Sequence, residues 1–198
     1  MLPRLACLLL AASATALKLP GAAHAGRRAA LTSGGAALVS TILAPKAAQA
    51  AVSACPGGAN NCYSTVSTGK NKMPMWTWPS GEDKASALKT LQSVVEAYPQ
   101  QGQGGVDLGG WSVAEGDFAS GNVRLEFKSG VGNMAKFFNG GKPFVDDLSF
   151  SAEASGVAVK SSSRVGDSDF GVNGKRLNYI AQALQAKGWE APTVKALQ

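Results

Sequence analysis

Between residues 122 and 128 the chain alternates. Val123, Leu125 and Phe127 are apolar, and Arg124, Glu126 and Lys128 are charged. A period of two sends the two sets to opposite faces of a strand, so this segment calls for a sheet with one covered and one wetter face. Three other stretches fit as partners. Trp111, Val113 and Glu115 alternate with small residues, and residues 144–150 and 156–163 are strand candidates separated by a short turn at 151–155. Two helices flank them. Leu88, Leu91, Val94, Val95 and Tyr98 share a helical face, Ser80-Gly81-Glu82-Asp83 reads as a capping box with Ser80 as N-cap, and Pro99 ends the helix. Leu177, Ile180, Ala181 and Leu184 form a second stripe, begun near Asn173 as N-cap and ended by Gly188, with Trp189 folding back on Leu184. The expected fold is α+β: an antiparallel four-stranded sheet flanked by an N-terminal and a C-terminal helix.

The remaining segments are poorer in pattern. Residues 51–80 hold turn formers and read as an extended arm whose Met73, Met75, Trp76 and Trp78 are costly to leave wet, so packing on the domain is expected. The Gly-rich stretch 100–110 lacks the Lys-Ser/Thr of a phosphate loop. Residues 130–142 read as a loop carrying Met134, Phe137 and Phe138.

Charge divides the chain. The formal charge is +6, yet residues 1–50 hold five basic and no acidic residues, while the remaining 148 hold 14 basic and 13 acidic ones. The body therefore has no overall basic field to recruit nucleic acid or anionic lipid. The only His, His24, lies in the leader, so the body can build neither a Ser-His-Asp triad nor a His-containing zinc site. The leader reads as stacked targeting signals. Residues 1–16 combine Arg4, a short apolar run and an Ala14-Thr15-Ala16 cleavage site, a secretory signal. Residues 17–30 are basic and acid-free, as in an organelle transit peptide. Arg27-Arg28 then precede a mildly apolar run ending in Ala48-Gln49-Ala50, which resembles a twin-arginine export signal. That order predicts the thylakoid lumen of a complex algal plastid. The organisation expected is a leader over 1–50, a disulfide loop and arm over 51–80, and an α+β domain over 81–198. No stretch of the mature chain reaches transmembrane length.

Cys55 and Cys62 enclose Pro-Gly-Gly-Ala-Asn-Asn. Two Cys close together in an exported, turn-rich segment read as a short structural disulfide, and without His they make a poor metal site. No metal and no cofactor is expected.

Polar groups concentrate in two places. Asp146 shares strand parity with Phe144, Leu148 and Phe150, and a carboxylate on an apolar face needs a partner. Residues 161–177 offer Ser161, Ser163, Arg164, Asp167, Asp169, Asn173 and Arg176 at the strand-to-helix junction. The leading expectation is that Asp146 and Arg164 meet across neighbouring strands and fasten that end of the fold, with Asp147 as the other carboxylate available to Arg164 and Asp169 or Asn173 capping the helix. A second reading is a pocket in which Arg164, Arg176 and the helix-start amides hold a carboxylate or phosphate. A third is acid–base catalysis, but Asp146 and Asp147 point to opposite faces, so one of them would have to work with Asp167 or Asp169.

These segments carry a resemblance. Cys55-Pro56 and Asn61-Cys62, the Phe144/Asp146/Asp147 strand, and the run through Ser161, Ser163, Arg164, Gly166, Ser168, Asp169, Phe170, Gly171, Asn173 and Arg176 resemble the family catalogued as domain of unknown function 1499. The resemblance covers about residues 55–184, and its second motif is the more specific. It implies a family found in bacteria and photosynthetic eukaryotes, and no established activity. The function expected is a non-catalytic lumenal accessory or binding protein of the photosynthetic membrane apparatus, with a thylakoid membrane complex or a small amphipathic ligand as partner. The alternative is a small enzyme or ligand-binding protein that uses the Asp/Arg/Ser cluster on an anionic small molecule.

Overall fold

The computed structural model describes residues 52–197. The expected signals of residues 1–50 lie outside the described residues. The chain runs through β1 (Cys62–Ser64), a 3-10 turn (Gly69–Asn71), β2 (Trp76–Thr77), α1 (Lys84–Glu96), β3 (Trp111–Asp117), β4 (Asn122–Lys128), α2 (Asn133–Phe138), β5 (Val145–Ala152), β6 (Gly156–Ser163) and α3 (Val172–Gln185). The architecture is α+β with one antiparallel sheet.

The sheet has six strands, not the expected four. Strands β3 to β6 form an up-and-down meander, each hydrogen-bonded to the next in sequence. The far edge of β6 is then covered by β1, opposite Lys160, Ser161 and Ser162, and by β2, opposite Gly156 and Val157. Both added strands come from the arm. With three and two residues they are too short to show a period, but they occupy an edge whose N–H and C=O groups would otherwise stay unpaired. Met73, Trp76 and Trp78 are buried as the arm packs down, while Met75 is exposed.

One sheet face carries the core. Val123, Leu125 and Phe127 of β4, Leu148 and Phe150 of β5, and Val157 and Val159 of β6 join Leu88, Leu91 and Val95 of α1 and Leu177, Ile180 and Leu184 of α3 in one cluster. Each such side chain contributes roughly 1.5–3 kcal/mol relative to exposure. Tyr98, just past α1, meets Phe127 edge-on with centroids 5.4 Å apart.

Several boundaries move. The α1 cap is Asp83, not Ser80: its carboxylate accepts from Ser86 N at 3.0 Å and Ser86 Oγ at 2.7 Å. The capping sequence thus slides by three residues, because Pro79 to Glu82 close a turn of their own, with Glu82 N donating to Pro79 O at 3.1 Å. Strand β3 is an outer edge bulged between Val113 and Glu115; Val113 pairs with Leu125 and so shares the core face, but on this uncovered edge it stays exposed, while Trp111 stacks on Phe127 at 6.0 Å. The expected loop 130–142 contains α2. Helix α3 begins at Val172 behind Gly171, which adopts φ 77°, and Asn173 lies inside it. Its end follows expectation: Trp189 N donates to Leu184 O at 3.1 Å and Gly188 N to Gln185 O at 2.9 Å, with Gly188 at φ 86°. A disulfide joins Cys55 to Cys62. Among the described residues no helix is long and apolar enough to cross a membrane.

Candidate functional site

The parity of β5 separates the two carboxylates that the sequence sets side by side. Asp146 faces the core with Leu148 and Phe150, and Asp147 faces the open side of the sheet with Arg124 and Glu126 of β4. Two ion-pair networks follow, one on each face.

The inner network is centred on Arg176, fully buried on α3. Its Nε donates to Asp107 Oδ2 at 2.8 Å, and its Nη2 donates to Asp107 Oδ1 at 2.5 Å and to Asp146 Oδ2 at 2.7 Å. Its Nη1 donates to Asn173 Oδ1 at 2.8 Å and Ser161 Oγ at 3.2 Å. A guanidinium has five N–H donors, and all five are used. Its carbon lies 4.4 Å from the Phe127 ring centroid, a cation–π contact away from water. Burial alone would favour loss of the charge, but Asp107 and then Asp146 outweigh it, so Arg176 is held more firmly protonated than usual. The Tyr98 hydroxyl donates to Asp107 Oδ2 at 2.6 Å. Burial, with the bond to Asp107, pushes the Tyr98 phenol well above its usual range.

Asp169 extends this network to the start of α3. It accepts from Gly171 N at 2.9 Å, Asn173 N at 2.7 Å and Asn173 Nδ2 at 2.8 Å. Asp169 therefore does the capping, and Asn173 relays between it, Ser163 Oγ at 3.0 Å and Ser161 Oγ at 2.5 Å. With Val172 N donating to Asp169 O at 3.1 Å, the Gly171, Val172 and Asn173 amides are all taken by Asp169.

The outer network is a surface lattice. Arg164 grips Asp147 with two bonds, Nε to Oδ2 and Nη2 to Oδ1, both 2.8 Å, and Nη2 also donates to Glu126. Arg124 donates to Asp147 at 2.8 Å, Glu126 at 3.4 Å and Glu115 at 3.3 Å. Partial burial raises the Asp147 carboxyl, but Arg164 and Arg124 outweigh it and hold it below the ordinary 3.8. The bond from Arg164 does the same for Glu126.

The expected pairing of Asp146 with Arg164 is thus corrected. Arg164 follows β6 on the side of Ser162, which pairs in register with Asp147, so its side chain belongs to the open face; Asp146 finds Arg176 instead. Asp146, Ser161, Ser163, Asp169, Asn173 and Arg176 come together; Asp147 and Arg164 form the separate lattice; Asp167 is exposed and stands outside both. Sequence reasoning missed Asp107, Tyr98, Arg124 and Glu126. Asp107 sits in the Gly-rich segment at φ 57°, a left-handed conformation that Asp tolerates better than most residues. The signal available was a lone acid flanked by Val106 and Leu108 in a stretch otherwise of Gly and Gln.

Neither network lines the two clefts found among the described residues. A cleft of about 350 Å³ lies between the end of α1 and the bulged edge, lined by Gln92, Glu96, Trp111, Val113, Asp117 and Phe118. Another of about 300 Å³ adjoins the disulfide loop at Cys55, Gly57, Val66 and Lys70. Among the described residues no group of three His, Cys, Asp or Glu side chains is placed to hold a metal ion.

Comparison with known proteins adds one finding. No curated protein and no solved structure matches the chain. A family model does, over residues 51–184, from the disulfide loop through both networks to Leu184, and the chain belongs to that family, described as Protein of unknown function (DUF1499).

Proposed function

We propose that the protein is a non-catalytic accessory or binding protein of the photosynthetic membrane apparatus, working in the thylakoid lumen of a complex algal plastid. One observation carries the first half: the most concentrated polar cluster is satisfied from within. Arg176 has spent all five donors on Asp107, Asp146, Ser161 and Asn173, and at the start of α3 the Gly171, Val172 and Asn173 amides are taken by Asp169. A catalytic or anion-binding site needs groups aimed at an empty position, not at one another. The location rests on the three stacked signals of the leader, and the Cys55–Cys62 disulfide fits an oxidising compartment. The test is fractionation of isolated thylakoids. The expected result is protease-protected protein that cosediments with thylakoid complexes. A monomeric, unbound protein in the lumenal extract, carrying no ligand by native mass spectrometry, overturns the reading.

The alternative, an enzyme or binding protein for an anionic small molecule, keeps one foothold. The Arg164 side chain is 40% exposed on the open face, and its Nη1 takes no part in the lattice. Arg164→Lys keeps the charge and removes the two-pronged grip. A loss of ligand binding at unchanged melting temperature would favour this alternative.

A further inference from the structure

Among the described residues, most of the large apolar side chains left in solvent lie at one end of the sheet. Three segments meet there: the loop before β3, the α2 segment between β4 and β5, and the loop from β6 to α3. They are tied together, with Gly109 N donating to Lys128 O at 2.9 Å, Ser129 N to Phe144 O at 2.9 Å and Arg164 N to Val145 O at 3.1 Å. Leu108 comes from the first segment, Val131, Met134, Phe137 and Phe138 from the second, and Phe170 from the third. Phe137 is 83% exposed and Phe170 75%. A soluble domain rarely presents so many apolar side chains together without a use.

Two further features give this end a direction. Phe170 holds φ 53°, a conformation disfavoured for a bulky side chain. It is pinned there because Asp169 binds the N–H groups of Gly171 and Asn173 beyond it, so the start of α3 enforces its outward stance. The charge is one-sided as well. Residues 127–145 include Lys128, Lys136 and Lys142 and no acid, and Lys136 and Lys142 are exposed beside the phenylalanines. In the adjoining loop Arg164 is engaged by Asp147 and Asp169 by α3, leaving Asp167 as the one exposed acid. Protruding aromatic rings rimmed by lysine match a lipid interface, where rings enter the headgroup boundary and ammonium groups meet anionic headgroups. They line neither of the two clefts.

We infer that this end seats the protein peripherally on an anionic lipid surface, with Phe137, Phe138 and Phe170 inserted and Lys136 and Lys142 at the headgroups. The body as a whole is nearly neutral, so the attraction is local to this tip. The inference rests on the membrane-accessory reading and names the lipid surface as what is touched. Vesicle sedimentation tests it, with the full chain and phosphatidylcholine vesicles with and without about one-third phosphatidylglycerol. Phe137→Ala/Phe138→Ala is expected to lower partitioning roughly tenfold or more, because two phenyl groups no longer leave water. Both rings are exposed, so the melting temperature should not move. Lys136→Glu/Lys142→Glu is expected to weaken the preference for the anionic vesicles, leaving only what the basic leader supplies. Equal partitioning of wild type and the phenylalanine variant overturns the inference, since the leader would then account for all binding. Wild type that ignores vesicles yet cosediments with native thylakoids overturns it too, pointing to a protein partner and leaving the accessory reading intact. Failure in both assays removes both.

Discussion

Two arginines of equal charge do different work. Arg176 is sealed under α3 with Asp107 and Asp146, and Arg164 lies on the open face with Asp147 and Glu126. Arg176→Met strands two carboxylates without their partner, and the expected loss is about 3–5 kcal/mol in urea denaturation. Arg164→Met should lose no more than about 1 kcal/mol, since water screens what is left. The outer lattice responds to acid. Asp147 and Glu126 are held below their ordinary values of 3.8 and 4.5, so their contribution is complete above that range and drains away as pH falls through the lowered values. Melts between pH 6 and 2 are expected to show this loss, and Asp147→Asn should flatten it. At this scale the sequence was half legible. Strand parity alone separates Asp146 from Asp147, and the same rule carried along β6 would have put Arg164 with Asp147. Asp107 was not legible, because its partner Arg176 is 69 positions away and no period links a Gly-rich turn to a helix.

Among the elements, those long enough to repeat declared themselves. Strand β4 alternates over seven residues, β6 occupies its expected bounds, and the apolar stripes of α1 and α3 are the buried faces. The missed elements, β1, β2 and α2, hold three, two and six residues, and their form follows from what they pack against. The end of α3 illustrates a local rule that suffices: Gly188 at φ 86° lets the chain turn so that Trp189 can bury. Gly188→Ala places a β-carbon in a left-handed residue and is expected to lower stability by about 1–2 kcal/mol, read as a shifted denaturation midpoint with unchanged slope. Close packing fixes α3 at its other end, where a β-carbon on Gly174 would lie 2.9 Å from the Tyr63 hydroxyl.

For the whole molecule, the arm is the joint between what looked like separate parts. It covers one edge of the sheet, and its Tyr63 hydroxyl holds the C-terminal tail, donating to Lys195 O at 2.8 Å and accepting from Leu197 N at 3.0 Å. The disulfide closes a short loop just ahead of β1, so reduction is expected to lower stability by only about 2 kcal/mol, as a melting shift under dithiothreitol that Cys55→Ser/Cys62→Ser reproduces. The fully occupied guanidinium of Arg176 reaches into inheritance. A lineage cannot let positions 107, 146, 161, 173 and 176 drift one by one, because each lone exchange leaves a charge or a hydroxyl in the dark without company. Wholesale exchange of such a set for well-fitting apolar residues can be neutral. Descendants of this chain should therefore either keep the five together or surrender them in a block.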